Sequence, residues 1–259
     1  MDYLHKYTEN PFRDLLWNIP EQKQGTISVI GGNQGSFRTP VKTAEFLSAN
    51  YPIKTVNLVL PDALRGKLPS LDNFLYLSST ESGSFGDADE LARIIGSSDY
   101  NLLAGDFSKN SVTRDALVAA CQSSKKPTLI TRDAVDLIAE SASDSLLMNE
   151  NLVFFASIPQ LQKLFRAVYY PKMLLQSQSF IQIADTIHKF TLSYPIQIVT
   201  QHNLQIIVAK NGNIYSTPLE NTSYTPLSFF IGDLSGKIAA LNLFNPNNFE
   251  KATIAAIMK

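Results

Sequence analysis

The chain has one cysteine in 259 residues, Cys121, so no intrachain disulfide can form. That usage fits a reducing compartment. The three histidines, His5, His188 and His202, are scattered without metal-ligand spacing, which argues against a zinc site. No uncharged apolar run approaches the roughly 20 residues of a spanning helix. The stretch MDYLHKYTENPFRD has acidic residues and lacks the apolar core of a secretory signal. Lys and Arg number 22 against 23 Asp and Glu, a formal net charge of -1. No global field therefore draws the chain to nucleic acid or to an anionic membrane. There is no G-x-S-x-G elbow for serine hydrolysis. The expectation is a soluble, cytoplasmic protein with neither a nucleic-acid nor a membrane partner.

What is present reads as globular. At 44% hydrophobic and 17% charged, the chain can bury a sizeable core. Short β-branched runs alternate with helical segments. TISVI (26–30), VNLVL (56–60), 74–77, 101–104, 128–131 and 152–155 read as strands. Segments 39–49, 87–95, 112–121, 133–139 and 160–168 between them read as helices. Short apolar strands that do not alternate are those buried on both faces of a parallel sheet. After a helix over 180–192 the pattern changes. Runs 196–199, 204–208 and 214–216 follow without helices between them, and Asn211-Gly212 signals a hairpin turn. Helices over 233–242 and 251–257 close the chain, and 78–86 (SSTESGSFG) is its most loop-like piece. The fold class expected is α/β: a doubly wound, mostly parallel sheet with helices on both faces and antiparallel strands near the C-terminus. Residues 1–259 are expected to form one domain.

Four places can carry chemistry. Gly31-Gly32-Asn33-Gln34-Gly35 follows the first strand of this series, where glycines let a ligand approach the backbone. The spacing matches neither G-x-G-x-x-G nor the P-loop, and a plain tight turn reads equally well. Ala104-Gly105-Asp106-Phe107 ends a strand; Asp106 there can hold a hydroxyl or hydrated Mg²⁺, or cap a turn. Asp133 ends TLIT and opens a helix, as a cleft residue or an N-cap. Gly232-Asp233, in FFIGDLSGKIAAL, offers a helix start to a phosphate and a carboxylate base to a hydroxyl, or again an N-cap. Cys121 falls on a helix face and reads as core.

The order of these landmarks, over 25–241, resembles the ADP/ATP-dependent NAD(P)H-hydrate dehydratases, a branch of the ribokinase-like superfamily. ISVIGGNQGSF matches the family's strand and Gly-Gly turn. Ala104-Gly105-Asp106 stands for its Gly-Pro-Gly turn, and Thr131-Arg132-Asp133-Ala134 for its strand-ending aspartate. Phe230-Ile231-Gly232-Asp233 stands for its Gly-Thr/Ser-Gly-Asp. The resemblance implies Asp233 as catalytic base and Gly232, Gly105 and Asp106 as phosphate- or nucleotide-binding residues. It implies Gly32, Asn33 and Asp133 as substrate-binding residues. It further implies ADP or ATP with Mg²⁺, a hydrate of NAD(P)H as substrate, and a homo-oligomer. In the implied reaction the nucleotide phosphorylates the hydrate hydroxyl, and phosphate elimination restores NAD(P)H. Here Phe230 and Ile231 replace a glycine and a hydroxyl residue. Phe155-Ala156-Ser157-Ile158-Pro159-Gln160 stands for Thr-Pro-His-Pro-Gly-Glu, and Thr200 for the lysine of a Lys-Gly-Ala turn. Losing a cation and a hydroxyl donor removes transition-state stabilisation. Three readings therefore stay open: the dehydratase, a catalytically degenerate relative that works by binding or assembly, and a small-molecule kinase.

Overall fold

The computed structural model describes residues 2–68, 73–226, 228–230 and 233–258. Among the described residues ten strands share one sheet: β1 (Leu4–Lys6), β2 (Gln24–Gly31), β3 (Ile53–Pro61), β4 (Phe74–Leu77), β5 (Tyr100–Gly105), β6 (Thr128–Thr131), β7 (Leu152–Phe155), β8 (Gln197–His202), β9 (Gln205–Lys210) and β10 (Asn213–Pro218). The helices are α1 (Phe12–Leu15), α2 (Arg38–Asn50), α3 (Ala88–Ser97), α4 (Ser111–Ser123), α5 (Asp133–Glu140), α6 (Asp144–Leu147), α7 (Ile158–Ala167), α8 (Phe180–Ser193), α9 (Leu234–Phe244) and α10 (Phe249–Ile257).

The strand order is β1-β10-β9-β8-β7-β6-β5-β2-β3-β4. Every pairing is parallel except β8 with β9 and β9 with β10. From β2 the chain builds outward through β3 and β4. It then returns to lay β5 on the other side of β2 and builds the opposite way. The reversal opens a crevice beyond the carboxyl ends of β2 and β5, the usual ligand position in doubly wound sheets.

The central strands are apolar on both faces because both faces are covered. All residues of β5, β6 and β7 are buried. Ile30, Leu103, Ile130, Phe154 and Ile198 pack on one side with residues of α3, α4, α5, α7 and α8. Val29, Leu102, Leu129, Val153 and Val199 pack on the other with residues of α2, α9 and α10. Each such aliphatic or aromatic side chain contributes about 1.5–3 kcal/mol when removed from water. Cys121 lies in the first of these cores, fully buried, and burial pushes its thiol up to about 12.

Local chemistry starts the helices. Asp87 Oδ1 accepts from the N–H groups of Asp89 and Glu90, both at 2.9 Å, at the start of α3. Capping boxes, Ser157 with Gln160 and Ser179 with Gln182, open α7 and α8. Asn110 Oδ1 accepts from Thr113 N at 2.7 Å to open α4. Asn110→Ala should therefore cost about 1 kcal/mol, read as a lower urea midpoint at unchanged slope.

Asn211 and Gly212 take φ of 48° and 77° and close the β9–β10 hairpin, as their sequence implies. The loop 78–86 is pinned from beneath by Phe85, which is fully buried. Three short elements carry no periodicity in the sequence: β1, α1 and α6. β1 (LHK) exists because β10 offers it an edge. Among the described residues no helix is long and apolar enough to cross a membrane.

Candidate functional site

The crevice brings together Gly32, Asn33, Gly105, Asp106 and Asp133. Gly32 N donates to Gly105 O at 3.0 Å, and Asn33 Nδ2 donates to Asp106 O at 2.7 Å. These bonds tie the loop after β2 to the loop after β5. Gly32 and Gly105 have φ of 93° and 98°, a region closed to ordinary side chains. Asp106 follows at φ 61°. A backbone bent this way presents successive N–H groups to one point, which makes an anion-binding concavity.

That concavity is filled from within the chain. Asp133 Oδ1 accepts from Asp106 N at 3.0 Å, and its Oδ2 accepts from Phe107 N at 2.7 Å. Burial raises the Asp133 carboxyl above its ordinary value. The N–H groups of Phe107, Asp133 itself and Asp106 pull it down, and the nearby Asp106 charge pushes it up. The amino end of α2 is filled in the same manner: Asp106 Oδ2 accepts from Thr39 N at 2.9 Å. The aspartates expected as caps of their own turn or helix thus reach across to other elements. Asp133 is the first residue of α5, yet its carboxylate serves the loop after β5.

Arg132 is a member of this group that its residue type alone does not reveal. It sits at φ 56° at the end of β6, and its guanidinium lies 3.7 Å from Asp106 Oδ1. Gln160 Nε2 donates to the Arg132 carbonyl at 2.8 Å and to Asp136 Oδ2 at 2.8 Å.

Asp233 stands apart. It is exposed, and its carboxylate makes no cap bond to α9, although its carbonyl accepts from Lys237 N at 2.9 Å. Among the described residues no hydrogen bond or ion pair links it to the crevice aspartates. Gly232 and Ile231 lie outside the described residues. Phe230 is half-buried, its ring 5.2 Å from that of Phe155, and it lines a groove of about 480 Å³. Ser157, Ile158, Gln176, Gln201 and Asn203 line the same groove, and none of its described lining residues is charged. Thr200, the position matched to a lysine in a turn, is instead in mid-β8 and fully buried, its hydroxyl without a hydrogen-bond partner among the described residues. The turn itself is at Asn203-Leu204, between β8 and β9. Among the described residues no group of three His, Cys, Asp or Glu side chains converges to hold an ion.

No protein-family model matches the chain, and no curated protein does. Solved structures do. A ribokinase-like superfamily protein from Enterococcus faecalis V583 superposes with a TM-score of 0.67 at 13% identity, covering 99% of this chain and 86% of that one. A Streptococcus mutans protein gives 0.62 at 12% identity, covering 96% and 87%. Bacillus subtilis YxkO, a member of the UPF0031 family, gives 0.58 at 15% identity, covering 92% and 81%. The likeness is one of fold, and the fold is ribokinase-like.

Proposed function

We propose that this chain is a small-molecule-binding protein on a ribokinase-like scaffold, with nucleotides and dinucleotides as its ligand class and without phosphoryl transfer. One observation carries the reading. The N–H groups after β5 and the amino end of α2 are already satisfied by Asp133 and Asp106. Phosphoryl transfer works by positioning and by donors and cations aimed at the phosphoryl oxygens. A carboxylate seated on such donors competes with the phosphate and repels it. The uncharged groove under Phe230 supports the same reading. Treating residues 1–259 as one domain rests on all ten strands sharing one sheet.

The test mixes the protein with ATP or ADP, Mg²⁺ and NADH hydrate, and follows NADH absorbance. The expected outcome is no return above the rate without protein, together with a thermal shift by ADP, ATP or NAD(P)H. Return of NADH at a protein-dependent rate overturns the reading.

One observation favours the dehydratase alternative: the Asp233 carboxylate is exposed and, among the described residues, unengaged, available to take a proton from a hydroxyl. On that alternative Asp233→Asn abolishes turnover while leaving the unfolding midpoint unchanged.

A further inference from the structure

On this binding reading, we propose that Arg132 is the ligand's anchor, holding an oxyanion (a carboxylate or a phosphate) at the carboxyl ends of β5 and β6. The backbone donors of the crevice are taken, so an anion must be met by a side chain. Arg132 is built for that task and for little else in the structure. Its φ of 56° is sparsely populated for a residue with a side chain, and such conformations cluster at ligand clamps. The position is held from outside by Gln160, which grips the Arg132 carbonyl and is itself fixed by Asp136.

The side chain is held as well. Its Cδ and Nε both lie 3.0 Å from the point that a Cβ on Gly105 would occupy, so the stem rests on a bare α-carbon. Nε is sealed from solvent and has no hydrogen-bond partner among the described residues. The terminal nitrogens carry the reach to solvent, with a third of the side chain exposed. Among the described residues the guanidinium makes no hydrogen bond, and its one ion pair is the 3.7 Å approach to Asp106 Oδ1. The other oxygen of Asp106 is engaged elsewhere, accepting from Thr39 N at the amino end of α2. A planar fork with a fixed stem and idle donors suits bidentate oxyanion binding, and little rotamer freedom is left to lose.

Thermal unfolding is measured with inorganic phosphate, with malonate, and with sodium chloride at matched ionic strength. Titration calorimetry compares ADP with adenosine. For the wild type, phosphate or malonate should raise the midpoint beyond chloride, and ADP should bind more tightly than adenosine. Arg132→Gln should erase both differences, and Arg132→Lys should restore part of them. Asp106→Asn keeps an oxygen for Thr39 N but removes the competing charge, so anion affinity should rise about fivefold. A structural role for Arg132 would not produce that gain. An equal anion response in Arg132→Gln, or no gain in Asp106→Asn, overturns the proposal. ADP binding that survives Arg132→Gln unchanged overturns it too, while leaving the binding reading intact. No binding of any probe by the wild type overturns both.

Discussion

Asp133→Ala is expected to destabilise the fold by about 3 kcal/mol, the loss of two charge-assisted hydrogen bonds together with the exposure of two unsatisfied N–H groups. Among the described residues no other group accepts from Asp106 N or Phe107 N, so no neighbour takes over. Asp133→Asn keeps one acceptor and should cost about half as much. Urea denaturation reads both, and activity need not be known. The pH dependence follows from the direction of the shift. Burial, with the Asp106 charge, raises this carboxyl above its ordinary 3.8 in the folded state. The folded protein therefore holds the proton more tightly than the unfolded chain. That contribution to stability is full below 3.8 and is lost as pH rises through the raised folded value. The margin of wild type over Asp133→Asn should accordingly shrink between pH 4 and neutrality. A margin that widens over that range would show that the N–H bonds outweigh burial.

Gly105→Ala is expected to cost 3 kcal/mol or more. At φ 98° any side chain strains the backbone, and a Cβ would lie 2.6 Å from Asp133 Oδ1. That oxygen cannot swing aside without releasing Asp106 N. The Arg132 stem at 3.0 Å blocks the other direction. Clash and clamp share a partner, so the two substitutions should not add. The double variant Gly105→Ala/Asp133→Ala should be less unstable than the sum of the singles, by about 1 kcal/mol or more. Strict additivity would show that Gly105 and Asp133 act independently.

The fold was readable from the sequence where burial leaves a mark on it. Runs such as VNLVL and TLIT are β-branched because helices cover both faces, and Asn211-Gly212 marks the hairpin because its φ values demand those residues. β1 left no mark: Leu-His-Lys has no strand pattern, and its pairing depends on a distant edge. The crevice was half readable. Asp106 and Asp133 declare themselves as carboxylates at strand ends. Their union depends on the register that sets Leu103 beside Ile130, and local spacing carries no trace of that register. Arg132 was invisible for a different reason. Positive φ favours Asn and Asp among residues with side chains, so an arginine there carries no residue-type signature, and it shows only once Gly105 and Gln160 are in place. For Asp233 the local expectation of a cap failed, because a helix can start at N-cap aspartate without using its side chain.

The pairing of β1 with β10 sets an order of events during synthesis. Leu4 lies opposite Ile214, so its partner is made about 210 residues later. At ribosomal speeds of roughly 5–20 residues per second, the first strand waits for tens of seconds before it can dock. The β2–β7 parallel core has its own nearest neighbours within that interval and can assemble without it. Once β10 is made, its free side is an unpaired edge open to other chains until the waiting β1 docks on it. The three residues of β1 thus act as a late seal, and their timing decides how long the nascent protein is exposed to edge-to-edge association.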